Sequence, residues 1–227
     1  MSDRTPQLHA WEIPAREYAR HEARRGRRFA YETLDPARTA LIVIDMVHFF
    51  VENGPLVQGI VPNINRLAAS LRAAGGTVAW IVPAVSDGPS AHDIAFYGEM
   101  VAAAYAQSGG EGTIDERLWS GLDVHADDLR AEKTASSAFF PGRSPLPDLL
   151  AARDIDTVLI TGTVTNVCCE SSARDASTLG YRVIMVADGN ATVNDAMHNA
   201  TLTTIYRSFG DVRTTDDLLA LIAAGDR

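Results

Sequence analysis

The sequence predicts a single doubly wound, Rossmann-like α/β domain of three layers, with a mainly parallel β-sheet between two layers of helices. Short β-branched apolar runs alternate along the chain with longer runs of helical periodicity. Such an alternation joins parallel strands through right-handed helical crossovers and covers both faces of the sheet. The 227 residues, 46% of them hydrophobic, are enough to bury one sizeable core.

The first half of the chain contains two predicted strands and two predicted helices. Residues 39–46 (TALIVIDM) and 77–82 (TVAWIV) are β-branched apolar runs that are typical of buried strands. Between them, residues 62–74 place apolar side chains at helical spacing, with a proline in the first turn and a glycine pair after the last. Residues 91–107 predict a second helix. The stretch 84–127 is long and rich in glycine, so we expect it to shape the rim of a pocket.

The second half of the chain continues the alternation with four strands and four helices. Gly180 follows one of these helices directly and is expected to end it, and Thr214 or Thr215 can cap the last one. In chain order, the pattern predicts a strand at 128–133, a helix at 145–153, a strand at 156–161, a helix at 167–179, a strand at 181–187, a helix at 194–209, a strand at 211–213 and a helix at 215–224.

The charge and the apolar pattern argue against nucleic acid and membranes as partners. The net charge is −9, and no apolar run approaches the ~20 residues of a membrane span. The N-terminus lacks the charged-then-apolar pattern of a signal peptide, so we expect a cytoplasmic protein. Residues 15–28 hold six Arg against two Glu. We therefore expect residues 1–35 to form an Arg-rich helical arm that docks on an acidic neighbour or a partner subunit, and residues 36–227 to form the main domain.

Cysteine and lysine are both rare in this chain. The two cysteines, Cys168 and Cys169, are adjacent, which excludes a disulfide framework and a zinc knuckle. Of the 20 basic residues, 19 are arginine and the exception is Lys133. An ammonium can give up its proton and a guanidinium cannot, so the single lysine suggests a role that needs lysine, although chance also accounts for one remaining lysine.

Three chemically distinctive residues fall at predicted strand ends. Asp45 ends the first strand, Lys133 ends the third, and Cys168 opens the helix after the fourth. Because ligands of doubly wound sheets bind beyond the carboxyl ends of the strands, we expect these side chains to converge. A thiol that attacks a carbonyl needs a base, and an ammonium or a helix N-terminus favours its thiolate. Ordinary structural interpretations stay open: a buried cysteine, which suits Cys169 better, a capping aspartate and a surface lysine.

Four sequence blocks carry a resemblance to a known family. They are ALIVIDMVHFFVENGPL (40–56), EKTASSAFFPGRSPLPDLL (132–150), TVLITGTVTNVCCESSARDA (157–176) and GYRVIMVADGNA (180–191). In this order they resemble the isochorismatase-like cysteine hydrolase superfamily, which contains nicotinamidases and the N-carbamoylsarcosine, ureidoacrylate and biuret hydrolases. The block around the cysteines is the most specific and most resembles the ureidoacrylate and N-carbamoyl amidohydrolases. The resemblance implies a hydrolase domain over residues 36–227 that needs no cofactor.

The resemblance also implies a role for each of the three converging residues. Asp45 corresponds to the general base and acid, Lys133 to the ammonium beside the thiol, and Cys168 to the nucleophile. A cis peptide bond is implied between Thr163 and Val164. The N–H groups of Val164 and Cys168 are implied to form the oxyanion hole for the tetrahedral intermediate.

The sequence departs from the family pattern at several positions. Cys169 stands where the family usually has valine, and Val47 stands where it usually has glutamine. Nicotinamidases carry an Asp/His/His metal set, but Asp87 and His92 here lack the D-x-H arrangement, so we predict no metal. Members that cleave the vinyl ether of isochorismate commonly lack the cysteine, and Cys168 therefore argues against that reaction.

Further polar and aromatic residues are expected to line the substrate pocket. His48, Phe49 and Phe50 follow Asp45 closely, and Asn166 precedes Cys168 by two residues. Trp119 belongs to the predicted pocket rim. The phenylalanines could instead belong to the core, the asparagine to the turn and the tryptophan to a subunit contact. Asp188 and His198 are interpreted as structural, because the Asp/Lys/Cys set already completes a mechanism.

The sequence thus predicts hydrolysis of a C–N bond in a small amide, carbamoyl or ureide substrate through a thioester intermediate. Three alternatives stay open: a vinyl-ether hydrolase of the isochorismatase type, a hydrolase of a larger amide or lactam, and a thiol redox protein that uses both cysteines. Because family members are usually dimers or tetramers, we expect a homodimer or homotetramer.

Overall fold

The computed structural model describes residues 5–52 and 54–225 of the chain. Within these residues the strands are β1 (Thr39–Ile44), β2 (Thr77–Pro83), β3 (Leu129–Lys133), β4 (Thr157–Thr163), β5 (Arg182–Ala191) and β6 (Asp211–Arg213). They form one sheet in the order β3-β2-β1-β4-β5-β6, and every neighbouring pair is parallel. The predicted doubly wound α/β fold is confirmed.

Helices cover both faces of this sheet. In the described residues they are α1 (Ala15–Arg25), α2 (His48–Val51), α3 (Pro55–Gly59), α4 (Val61–Ala73), α5 (Ala91–Tyr97), α6 (Glu99–Ala106), α7 (Ile114–Arg117), α8 (Leu146–Ala151), α9 (Glu170–Thr178), α10 (Asp195–Ser208) and α11 (Thr215–Gly225). Buried apolar side chains of α8, α9 and α10 pack on one face, and those of α4 and α11 pack on the other. None of the helices that the structure describes is long and apolar enough to cross a membrane.

The strand order reverses between β1 and β4, the central pair of the sheet. From β1 the chain moves outward to β2 and β3, and from β4 it moves outward in the opposite direction to β5 and β6. The helical connections therefore leave the two central strands on opposite faces, which opens a crevice at their carboxyl ends. Gly162 permits the close pairing there, because a Cβ on it would lie 2.1 Å from the carbonyl oxygen of Ile44.

Several elements differ from the predicted ones. The helix predicted over 91–107 is two helices, α5 and α6, because Gly98 between them has a φ of 79° that no α-helix contains. The helix predicted from residue 167 is preceded by a π-helical turn, Thr165–Cys169. The strand predicted at 181–187 continues to Ala191 as β5. The short helices α2, α3 and α7 are additional, since one turn of helix leaves no periodic signal in a sequence.

The Arg-rich helix α1 packs against α10. The rings of Tyr18 and His21 each lie 5.0 Å from the Tyr206 ring in edge-on contacts. Arg25 pairs with Asp211 at 3.5 Å, so part of the positive charge of the arm is neutralised within the chain. The boundary at residues 35 and 36 stays a prediction, and residues 1–4 and 226–227 of the two predicted units lie outside the described residues.

Replacing Gly162 with alanine is expected to lower the free energy of unfolding by about 4 kcal/mol or more, because the new Cβ would strike β1 and the φ of +113° is strained for any L residue. Gly180→Ala is the matched control, since its φ is +95° but nothing lies within 4 Å of the added Cβ. We expect it to lose about 1–2 kcal/mol. Urea unfolding at equilibrium measures both, and equal losses would contradict the close approach of the two central strands.

Candidate active site

Asp45 is the first residue after β1, at the reversal of the strand order. Its φ of 55° is a left-handed conformation that aspartate tolerates better than most residues. Its N–H donates to the Ile81 carbonyl of β2 at 2.8 Å, and its own carbonyl accepts from the Val47 N–H at 2.8 Å. These bonds fix the backbone, and the side chain is only 1% exposed. The carboxylate is thus held inside the crevice.

Lys133 is the last residue of β3, opposite Pro83 of β2. Its Nζ lies 2.9 Å from Asp45 Oδ2 and 3.6 Å from Cys168 Sγ, and it donates to the Ala135 carbonyl oxygen at 3.2 Å. An ammonium has three N–H donors, and these three acceptors match that number. Because the side chain is only 4% exposed, these contacts replace nearly all of its hydration.

Cys168 lies in the π-helical turn Thr165–Cys169, between β4 and α9. The peptide bond Thr163–Val164, just before this turn, is cis. Cys168 is half-buried, its sulfur contacts the Lys133 ammonium, and it lies near enough to the Asp45 carboxylate and the Val164 N–H for both to shift the pKa of its thiol. The structure therefore brings the acid and the thiol of the predicted triad together around the ammonium, which contacts both of them.

The second cysteine has a different environment. Cys169 is fully buried in the apolar layer that packs α8, α9 and α10 on the sheet. Its Sγ lies 3.9 Å from the Thr161 carbonyl oxygen. Burial raises the pKa of its thiol well above 9.0. These contacts are those of a small apolar core residue.

The three groups of the site determine each other's ionisation. Burial raises the pKa of Asp45 above 3.8, opposed by the Lys133 ammonium and the Cys168 thiol. Burial alone would lower the pKa of Lys133, but Asp45 and Cys168 together outweigh burial, and the net shift is upward from 10.5. Burial, and then the Asp45 carboxylate, raises the pKa of Cys168 from 9.0 to about 12. The upward shifts keep Lys133 protonated and the Cys168 thiol neutral at neutral pH, and the ammonium 2.9 Å from Asp45 favours the ionised form of that carboxyl group. Lys133 lowers the pKa of the thiol, as expected from the sequence, but burial and the Asp45 carboxylate outweigh that effect in the resting site.

The aromatic residues predicted to line the pocket gather where the chain leaves β1. The rings of His48 and Trp119 lie 5.1 Å apart, and those of Phe49 and Phe50 lie 4.9 Å apart. The backbone N–H of Trp119 donates to the Met46 carbonyl at 2.9 Å, which holds the chain just after α7 against this segment. Phe49 is 44% exposed, and Phe50 and Trp119 are half-buried. The group thus presents ring surface to solvent. Three of its four residues follow the buried carboxylate of Asp45 within five positions in the sequence.

Asn166 belongs to the turn itself. Its Oδ1 accepts from Thr192 Oγ1 at 2.7 Å, so the amide is tied to the chain that follows β5. A separate groove of about 300 Å³ opens between the loop after β3 and α9, and it is lined by Ala135, Ser136, Ser137, Phe140, Ser171, Arg174 and Asp175. No member of the triad lines this groove. In residues 5–52 and 54–225, no three His, Cys, Asp or Glu side chains are placed to hold a metal ion together.

Arg117 is a buried residue at the strand ends beside the site, and it was not predicted from the sequence. The side chain is 2% exposed and donates to the Pro83 and Gly109 carbonyls, each at 3.2 Å. It also pairs with Glu132, the residue before Lys133, at 2.5 Å. It therefore joins the ends of β2 and β3. The sequence signal nearest to Arg117 is the capping box at Thr113. It indicates that a helix, α7, begins there, but it does not indicate that the arginine is buried.

Replacing Lys133 with methionine is expected to lower the free energy of unfolding by about 3–5 kcal/mol, because the Asp45 carboxylate stays buried without its counter-charge. The double variant Asp45→Asn/Lys133→Met should regain most of that loss, since both charges are gone. Equilibrium urea unfolding at neutral pH measures both variants.

The matched control is Arg66→Met, which removes a pair with Asp216 of 2.6 Å whose side chains are 51% and 80% exposed. We expect that loss to stay below about 1 kcal/mol. A Lys133→Met loss no larger than the control, or a double variant as unstable as the single one, would contradict the buried ion pair.

Comparison with known sequences identifies relatives over most of the chain. Residues 39–217 match the model of the isochorismatase domain. YwoC, an uncharacterized isochorismatase family protein from Bacillus subtilis, is 33% identical over 190 residues, which cover 82% of this chain and 95% of that protein. RutB from Rhizobium rhizogenes, a ureidoacrylate amidohydrolase, is 30% identical over 213 residues, which cover 84% of this chain and 86% of that protein.

Comparison with solved structures leads to the same family. A cysteine hydrolase from Pseudomonas syringae pv. phaseolicola superposes with a TM-score of 0.75 at 31% identity, covering 87% of this chain and 98% of that one. N-carbamoylsarcosine amidase from Thermoplasma acidophilum superposes with a TM-score of 0.62 at 25% identity, covering 79% and 97%. The family match spans the sheet and the segments that carry Asp45, Lys133 and Cys168. The chain therefore belongs to the isochorismatase-domain family of hydrolases and is related to its ureidoacrylate and N-carbamoyl amidohydrolases.

Proposed function

We propose that this chain is a cysteine-dependent hydrolase, needing no cofactor, that cleaves a C–N bond in a small amide, carbamoyl or ureide substrate. The observation that carries the proposal is the contact of Lys133 Nζ with both Asp45 Oδ2, at 2.9 Å, and Cys168 Sγ, at 3.6 Å. The ureidoacrylate amidohydrolase and the N-carbamoylsarcosine amidase among the relatives support the substrate class.

The first step joins the Cys168 sulfur to the carbonyl carbon of the substrate. The thiol proton moves to the neighbouring Asp45 carboxylate as the new C–S bond forms. The π electrons of the carbonyl move onto its oxygen. Because the resting thiol is neutral, proton transfer accompanies the attack and no free thiolate accumulates. Lys133 stays protonated and stabilises the negative charge as it moves from the carboxylate towards the substrate.

The backbone N–H groups of Val164 and Cys168 are the proposed donors to the oxyanion. The Val164 N–H lies near enough to the Cys168 sulfur in the resting site to lower the pKa of the thiol. A carbonyl carbon bonded to that sulfur carries its oxygen within reach of the same N–H. Donors that are held in place before the reaction lower its barrier without reorganising during it.

The second half of the cycle releases both products. The C–N bond breaks as Asp45 returns the proton to the leaving nitrogen, so that ammonia or an amine departs and a thioester remains on Cys168. Water then attacks the thioester and gives a proton to Asp45, which passes it to the departing sulfur. One water is consumed, and the carboxylate, ammonium and thiol regain their starting states.

The walls of the pocket are proposed to be His48, Phe49, Phe50 and Trp119, with Asn166 beside the nucleophile. Three of these partly exposed rings stand within five residues of Asp45, whose carboxylate is 1% exposed, and the group suits a small, largely planar substrate whose reactive carbonyl reaches inward. A vinyl ether or a larger lactam would have to enter the same crevice. A thiol redox function is less well supported, because Cys169 has no exposed surface from which to react.

We also propose that the chain assembles as a homodimer or homotetramer in the cytoplasm. Helices α5 and α6 support this proposal, because Phe96 in α5 is 73% exposed and Met100 in α6 is 83% exposed. Large apolar side chains grouped at a surface are typical of subunit contacts.

Replacing Cys168 with alanine is expected to abolish ammonia release from any ureide, carbamoyl amino acid or aromatic amide that the wild type hydrolyses. Cys169→Val, a core substitution of similar size, should lower kcat less than about threefold. An ammonia-release screen measures both, and intact-mass spectrometry of quenched wild type should detect an acyl group on Cys168. Equal loss in the two variants, with unchanged circular dichroism, would contradict the choice of nucleophile.

The pH dependence of kcat/KM should show a plateau from neutral pH to about pH 10, since the active form contains ionised Asp45 and a neutral thiol. Burial raises the pKa of Asp45 above 3.8, so activity is lost as the pH falls through a value above that. Lys133 has a pKa raised above 10.5, so it stays protonated across the plateau. A kcat/KM that rises about tenfold per unit between about pH 7 and 9 would instead mean that a preformed thiolate is required.

A further inference from the structure

The chain that precedes α1 crosses the molecule as a strap, defined here as residues 7–13. The Gln7 N–H donates to the Pro55 carbonyl at 3.0 Å, which ties one end of the strap to α3. The Glu12 N–H donates to Asn199 Oδ1 at 3.0 Å, and Asn199 Nδ2 donates to the Ala10 carbonyl at 3.1 Å, which ties the other end to α10. The strap lies outside residues 39–217, which match the family model. It is therefore a feature of this chain beyond the family domain.

His9 is the buried polar side chain of the strap, with 7% of its surface exposed, and Ile13 is equally buried. Its Nε2 accepts from the Thr192 N–H at 3.1 Å, so that nitrogen carries no proton. The proton is then on Nδ1, which donates to Asp195 Oδ1 at 2.6 Å. Both ring nitrogens are thus engaged, one by the chain after β5 and one by the first residue of α10.

A first link leads from His9 to the turn that carries the nucleophile. The residue whose N–H binds His9, Thr192, also donates from Oγ1 to Asn166 Oδ1 at 2.7 Å. Asn166 stands two residues before Cys168 in the π-helical turn. Two consecutive hydrogen bonds therefore connect the strap to the turn that carries Cys168.

A second link reaches the neighbouring residue of the same turn. The His9 ring stacks on the His198 ring, with centroids 4.2 Å apart and planes inclined by 14°. His198 Nε2 donates to the Ala187 carbonyl at 3.0 Å, which leaves Nδ1 to accept from Thr165 Oγ1 at 3.0 Å. Burial, and then the neighbouring His9, lowers the pKa of His198 to about 4, so the ring is neutral at neutral pH.

We propose that His9 is a positioning residue for the nucleophile, and that the strap is part of the catalytic apparatus of this chain. The two links end on consecutive residues, Thr165 and Asn166, which lie between the Val164 N–H and Cys168. They therefore determine where the sulfur stands relative to its base and to the proposed oxyanion hole. His9 itself contacts neither the thiol nor the carboxylate. The inference rests on the proposed function in one respect, namely that Cys168 is the nucleophile.

The test follows the acylation of Cys168 by p-nitrophenyl acetate, with the release of nitrophenolate as the signal and Cys168→Ala as the blank. His9→Phe retains a stacking ring and removes both hydrogen bonds, so we expect the acylation rate constant to fall about tenfold. His21→Phe is the matched control, because His21 is a buried histidine of the same arm that bonds the Tyr206 carbonyl at 3.1 Å and stays clear of the turn. It should stay within about twofold of wild type.

A second pair of variants leaves the strap intact and cuts the link downstream of it. Thr192→Val removes the hydroxyl that holds Asn166 and should slow acylation about tenfold, whereas Thr192→Ser restores the hydroxyl and the rate. With an amide substrate, His9→Phe and Thr192→Val should lower kcat more than they change KM, because both keep every proposed wall residue and displace the nucleophile, and Thr192→Ser should restore kcat.

The outcomes separate the two proposals. A wild type that acylates normally, with His9→Phe or Thr192→Val within twofold of it, overturns the role of the strap and leaves the proposed function standing. A His9→Phe chain that fails to fold leaves the decision to the two Thr192 variants. A wild type that p-nitrophenyl acetate does not acylate at Cys168 overturns the proposed function, and with it the positioning role of His9.

Discussion

The buried ion pair between Lys133 and Asp45 is the interaction on which the candidate site depends. The two side chains are 4% and 1% exposed, so each charge has lost nearly all of its hydration. Such desolvation costs several kcal/mol per ion and is offset only by close geometry and further hydrogen bonds. The ammonium meets both conditions, since it lies 2.9 Å from Asp45 Oδ2 and also contacts the Ala135 carbonyl and the Cys168 sulfur, whereas Asp45 Oδ1 has no hydrogen-bond partner among the described residues. The parallel sheet supplies this geometry, because the carboxyl ends of β1, β3 and β4 face the same edge.

The same pair controls how the thiol reacts. Because burial and the nearby Asp45 carboxylate both raise the pKa of its thiol, Cys168 keeps its proton, although an ammonium lies 3.6 Å away. The carboxylate is then the base that removes this proton during attack, and the ammonium stabilises the negative charge wherever it moves. A reaction that relocates one negative charge within a fixed cationic environment needs little reorganisation. The position of the thiol therefore matters more for the reaction than its ionisation beforehand. Residues that hold the site in place, such as Arg117 and, as proposed, His9, therefore bear on function.

The sequence predicted the sheet and the meeting of the triad for reasons that are local or topological. Apolar periodicity reveals strands and helices, and the rule that parallel strand ends share an edge brings Asp45, Lys133 and Cys168 together. The π-helical turn and the burial of Arg117 depend on contacts between distant segments, and nothing local distinguishes that arginine from the other eighteen. The neutral state of the thiol was missed because sequence indicates which groups meet but not how completely water is removed around them. The strap was missed for the same reason, since His9 meets its partners only in the folded chain.

The central claim is that the resting thiol is neutral beside a buried ion pair. Its most direct test is the ultraviolet absorbance near about 240 nm, where a thiolate absorbs and a thiol does not, followed in wild type and Cys168→Ala as the pH is raised from about 6 to 9.5. Subtracting the variant removes the contributions of tyrosine and of Cys169. The account predicts no thiolate difference across this range, because the pKa of Cys168 is about 12. A titration of the difference signal with a midpoint below the ordinary 9.0 of a thiol would contradict it.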